Sequence, residues 1–152
     1  MSGPIFVGVS GFSYSAWKGR FYPKEAKSDE LLASYSQRLA SVEINSSFYG
    51  APRQETVKGW AAKTRPQFRF SFKAPRLITH VAKLGGSSAE GAVRFSDSLE
   101  ALGPRRGAIL FQLPPFLKRD EKLLESFLSA TATIPGRVFE FRDESWFADS
   151  VF

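Results

Sequence analysis

Six side chains carry charge or amide chemistry into stretches whose neighbours favour β-strands: Glu43, Asn45, Lys73, Gln112, Glu140 and Arg142. Glu43 and Glu140 are the candidates for acid and base, because two carboxylates in unlike surroundings have their pKa values pushed apart. Lys73 and Arg142 suit a phosphate or carboxylate, Lys73 as a point charge and Arg142 as a two-pronged donor. Asn45 and Gln112 are neutral donors able to orient a carbonyl or hydroxyl, and Gln112 lies just before Pro114-Pro115, where the chain must leave its strand. His80 is the single histidine. An imidazole titrates near pH ~6.5, which suits proton transfer, although a lone histidine also commonly serves structure.

What positions these groups is a repeat. Residues 5–10, 41–49, 68–74, 108–113 and 137–142 read as strands, and apolar residues at helical spacing lie between them. Leu31, Leu32, Tyr35 and Leu39 mark one helix, and Val57, Trp60 and Ala61 a second. Ala92, Phe95, Leu99 and Leu102 mark a third, opened by a capping box at Ser87 and Glu90, and Leu123, Leu124, Phe127 and Leu128 a fourth, with Asp120 as cap. Alternation of this kind predicts one α/β domain over residues 1–152 with a parallel sheet.

Side chains alternate across a strand. One face carries Val42 and Ile44, Phe70 and Phe72, Ile109 and Phe111, then Phe139 and Phe141. The other carries Glu43 and Asn45, Lys73, Gln112, Glu140 and Arg142. A parallel sheet covered on both faces is apolar on both. A (β/α) barrel differs, because inward side chains near the C-terminal rim line a cavity. The competing explanation is a structural network, Glu43 with Lys73 and Glu140 with Arg142, fixing strand register.

The loops at that rim are rich in rings. Tyr14 and Trp17 follow the first strand, Tyr49 the second and Trp146 the fifth, a set suited to stacking on a flat ligand. Alternatively they pack the loops against the barrel mouth. Without cysteine there is no disulfide and no thiolate nucleophile or ligand. One histidine and no paired ligands at i, i+4 argue against a metal site, although a Mg²⁺ held by Glu43 and Glu140 stays open. No cofactor motif is present: no Walker loop, no dinucleotide fingerprint, no G-x-S-x-G. Gly85-Gly86-Ser87-Ser88 could cradle an anion or simply form a capped loop. No apolar run nears the ~18 residues of a membrane span, and the start shows no leader pattern, so a cytoplasmic location is expected. A net charge of +6 allows an acidic partner, nucleic acid included, but the basic residues are scattered.

The segments GVSGFSYSAWKGRFYP, VEINSSFYGAP, FSFKAPRLITH, FQLPPF and EFRDESWF resemble, in order, the signature segments of the YecE-like family, also called domain of unknown function 72. Val9 departs from a usual Thr, Phe12 from a common Trp, and Asp143 from a frequent His. The resemblance implies a TIM-type (β/α) barrel but no activity, since the family's biochemical role is not established. It also implies three further βα units. The expected architecture is therefore an incomplete barrel of about five strands and four helices, from a fragment or a truncated gene. Three functional readings follow: an enzyme or binder acting on a small anionic ring-containing metabolite, a binder of nucleic acid or modified nucleotides, and an inactive fragment.

Overall fold

The computed structural model describes residues 3–152. Five strands form one parallel sheet in sequential order: β1 (Gly8–Ser10), β2 (Ser41–Ile44), β3 (Arg69–Lys73), β4 (Arg106–Gln112) and β5 (Arg137–Glu140). Four α-helices connect them, α1 (Leu31–Ser36), α2 (Gln54–Lys63), α3 (Ser88–Ser98) and α4 (Glu121–Ala130). The sheet is open, with β1 at one edge and β5 at the other. This is the α/β arrangement of five parallel strands and four helices expected from the sequence.

All four helices pack on the same face. Tyr35 of α1 meets Phe68, and Trp60 of α2 stacks on Phe70 at 5.8 Å. Phe95 of α3 meets Phe72, and Phe127 of α4 meets Phe111 at 5.4 Å. Val42, Ile44, Phe70, Phe72, Ile109 and Phe111 are buried beneath them. The alternate positions Glu43, Ser71, Lys73, Leu110, Gln112 and Glu140 are only partly covered. Each buried phenylalanine contributes roughly 1.5–3 kcal/mol, so the helix-bearing face carries the stability.

Several boundaries differ from expectation. The second strand ends at Ile44, and residues Asn45–Phe48 turn into a 3₁₀ helix. The Ser47 hydroxyl causes this: it sits 2.6 Å from the Ile44 carbonyl and 2.7 Å from that of Lys73, a local bond that competes with the strand ladder. Ser87 does not cap α3. Its backbone (φ −83°, ψ 15°) is not the extended form a capping side chain requires, and its hydroxyl makes no cap bond. Asp120 does cap α4, accepting from Leu123 N at 3.0 Å.

The edge strand is fastened by its lack of side chain and by one tyrosine. A Cβ at Gly8 would lie 2.0 Å from the Ser41 carbonyl oxygen. The buried Tyr35 hydroxyl donates to Ser41 O at 2.9 Å and accepts from Val9 N at 3.0 Å, pinning β1 and β2 to α1. Gly8→Ala must therefore push β1 away from β2. We expect a loss of about 1–3 kcal/mol in urea unfolding, the cost of forced overpacking; an unchanged midpoint would contradict the close approach.

Candidate functional site

The uncovered face turns polar at the C-terminal ends of the strands, and its groups fall into two hydrogen-bonded sets. At the β1–β2 end, Ser10 lies opposite Glu43 in register. Asn45 Nδ2 donates to Ser10 Oγ at 2.7 Å, and Ser10 Oγ donates to Glu43 Oε1 at 3.3 Å. At the β4–β5 end, Gln112 lies opposite Glu140, and its Nε2 donates to both carboxylate oxygens at 2.9 Å. Both amides thus spend donors inside the protein. Ser10 was missed in the sequence. Its register with Glu43 was the available signal, hidden because a serine closing a short strand reads as a turn residue.

Between these sets lie cations. Lys73 Nζ stands over the Phe48 ring, 4.7 Å from its centroid. Asn45, Phe48, Tyr49 and Lys73 line a hollow of about 170 Å³. Phe48 is its hub, meeting Tyr49 at 5.4 Å and His80 at 5.0 Å, both edge-on. The turn Asn45–Phe48 that ended β2 is what swings this ring into place. Among the described residues the ion pairs are Arg94–Glu90, Lys118–Asp143 and Arg119–Glu121, so neither Lys73 nor Arg142 pairs with a carboxylate. The structural network of Glu43 with Lys73 and Glu140 with Arg142 is absent.

His80 sits in a π-helical turn (Leu77–Val81) after β3. That turn is closed by Lys83 and Leu84, both with positive φ, and the strained Leu84 is held by burial and by its N–H to Ile78 O at 3.0 Å. Thr79, 1% exposed, has His80 Nδ1 as its side-chain hydrogen-bond partner, 2.8 Å away. A buried hydroxyl left without an acceptor is costly, so Thr79 donates to Nδ1 and the ring proton rests on Nε2. Burial lowers the His80 pKa from its ordinary value, and the fields of Lys73, Arg76 and Arg142 lower it further. His80 is thus neutral at pH 7, in the same field as three cations. Arg76 was not singled out in the sequence, because a lone arginine beyond a strand has no distinguishing pattern.

The aromatic rim divides. Tyr49 is 86% exposed beside the hollow, and Tyr14, also exposed, donates its hydroxyl to Ser10 O. Trp17 instead packs within its own loop, against Tyr14, Phe21 and Tyr22. Trp146 corrects the expectation of a ligand-facing ring: it is 1% exposed, stacked on Phe141 at 4.8 Å, with Nε1 donating to Leu117 O. Asp143 is structural as well. Hydrogen bonds from Ser145 and Lys118 hold its carboxyl down to about 2. Among the described residues no group of three or more His, Asp or Glu is arranged to hold a metal ion, and no helix is long and apolar enough to cross a membrane.

A family profile described as "Protein of unknown function DUF72" matches residues 6–152. The chain belongs to the DUF72 family. It is 30% identical over 148 residues to the UPF0759 protein YecE of Escherichia coli K12, covering 95% of this chain and 50% of that protein. The crystal structure of a DUF72 family protein from Thermotoga maritima MSB8 superposes with a TM-score of 0.78 at 32% identity, over 96% of this chain and 58% of that one. A DUF72 family protein from Enterococcus faecalis V583 shares the fold, with a TM-score of 0.73 at 22% identity over 96% of this chain and 54% of that one. The chain thus spans about half the length of the DUF72 relatives it matches.

The sole histidine makes the charge arrangement measurable. In an NMR titration we expect its midpoint below 6.5, rising in Lys73→Ala and in Arg142→Ala as each repulsion is removed. Because the folded value is depressed, this group's contribution to stability is present above pH ~6.5 and is lost as pH falls through the folded midpoint. Thr79→Val removes the donor to Nδ1 and should also raise the midpoint, with ¹⁵N shifts reporting loss of the pure Nε2–H tautomer. A midpoint above 6.5, unmoved by these changes, contradicts the geometry.

Proposed function

We propose that this DUF72 chain binds a small anionic, ring-containing metabolite at the C-terminal edge of its sheet. Lys73 and Arg142 hold the anion, the carbonyl oxygens of Asn45 and Gln112 accept from hydroxyl or N–H donors elsewhere on the ligand, and Phe48 and Tyr49 offer ring faces. Any proton transfer at the site runs through Glu43, Glu140 or His80. A neutral Nε2–H imidazole donates a hydrogen bond to developing negative charge, and each carboxylate has its own fixed neutral partner.

The observation that carries this reading is the mismatch of charges. Two carboxylates and two cations lie at one end of the sheet, yet the carboxylates take neutral partners and neither cation pairs with a carboxylate. A structural network would pair them. Lys73 is partly buried without a counter-charge, which is costly, and an incoming phosphate or carboxylate removes that cost, with the exposed Arg142 free to reach it.

Calorimetric titration with inorganic phosphate tests the anion site. Binding should saturate, and Lys73→Ala or Arg142→Ala should weaken it about tenfold or more, as expected for a charged hydrogen bond worth ~1.5–3 kcal/mol. Phosphate should also raise the His80 midpoint by offsetting the surrounding cations. Absence of saturation, or variants binding like the parent, would refute the reading. Polynucleotide affinity falling steeply with salt, with no binding of free phosphate, would assign the charge to nucleic acid instead.

A further inference from the structure

We infer that the ligand of this site has two parts, an anionic head at Lys73 and a large apolar or fused-ring body lodged in a separate cleft. The inference rests on the anion-binding reading just given and extends it to ligand class. The cleft lies outside the hollow, between the turn after β2, the π-helical turn after β3 and the helix α3. Its volume is about 580 Å³.

Size separates the two compartments. Pockets for small molecules span roughly 300–1,000 Å³. The polar hollow, at about 170 Å³, accommodates an anionic group and little more. The cleft is in the usual range and is mainly apolar, with Ile78 and Phe95 at its floor. Phe48 and Tyr49 line both spaces, so one aromatic ridge is all that parts them.

Charge says what the cleft accepts. Arg76 and Arg94 line it, and no acidic side chain does. Among the described residues Arg76 has no carboxylate partner, and Arg94 meets Glu90 at 3.6 Å through side chains 70% and 75% exposed. Such an exposed pair is weak, leaving Arg94 free to turn to a ligand. Leu77, another lining residue, is 70% exposed, an apolar cost a bound body would remove. A flat body satisfies the ring faces and the aliphatic floor, and an anionic head at the aromatic ridge lies in the joint field of Lys73 and Arg76, which act together on His80.

Gly91 gives a clean test. It lines the cleft from within α3, and a Cβ added there would meet Ile78 Cγ1 at 3.7 Å, an ordinary contact. Leucine is also the better helix former, so Gly91→Leu should fold, as circular dichroism would verify, while filling the cleft and leaving Lys73 and Arg142 untouched. The probes are inorganic phosphate, for the head alone, and anilinonaphthalene sulfonate, for head and body together. We expect Gly91→Leu to weaken the sulfonate by about tenfold or more with phosphate affinity unchanged, Arg76→Ala to weaken the sulfonate, and Lys73→Ala to weaken both. Equal sulfonate affinity in Gly91→Leu and parent, with phosphate still bound, overturns the cleft assignment and leaves the anion site standing. A concentration-dependent dimer in the parent, abolished by Gly91→Leu, would assign the cleft to a second copy and also overturn it. Failure of phosphate to bind the parent refutes the underlying reading.

Discussion

Every feature of the site follows from the helices lying on a single face of a parallel sheet. Phenylalanines from β3, β4 and β5 and aromatic residues from α1, α2, α3 and α4 interlock there. That layer supplies the apolar burial on which folding depends. The opposite face is consequently free of the demand to be apolar, and it is polar where the strands end. Without the one-sided layer, Glu43, Lys73, Gln112 and Glu140 would lie beneath helices, where each charge would have to be paired or expelled.

The alternation of side chains was legible in the sequence because it depends only on the two-residue period of a strand. Val42/Glu43, Phe72/Lys73 and Phe139/Glu140 each divide between the two faces as their parity requires. The partner of each polar group was not legible. Glu43 with Ser10 and Glu140 with Gln112 are opposite-register pairs, set by how adjacent strands slide, and the strongest electrostatic guess (carboxylate with cation) gave the wrong pairs. The end of β2 was hidden for a different reason. A Val, Ile, Phe, Tyr run reads as a continuing strand, whereas the Ser47 hydroxyl, reaching a carbonyl of β3, diverts it.

Rings were the least legible class. Trp17, Tyr49 and Trp146 have the same composition signal and all follow strands. Tyr49 stays outside because the turn before it is short and its neighbours Gly50 and Ala51 are small. Trp146 goes inside because the Leu117 carbonyl satisfies its indole N–H and Phe141 offers a parallel face. A buried tryptophan needs just such a polar partner, and that partner lies in a loop nearly thirty residues earlier. Nothing local distinguishes the two outcomes.

The same edge of the sheet uses charge in two ways, as an ion pair and as cations without a carboxylate partner. Lys118, in the loop after β4, meets Asp143, beyond β5, at 2.9 Å, and Asp143 also accepts from Ser145 N at 3.0 Å. This cluster ties two rim loops together, and the carboxyl lowered to about 2 shows how fully its hydrogen-bonding capacity is used. Lys73 and Arg142 had carboxylates available on their own face and are left without them. An ion pair fixes geometry but cancels its own field; cations left without a carboxylate partner keep a field that lowers the His80 pKa. Asp143, buried and held by Lys118 and Ser145, fastens a rim loop.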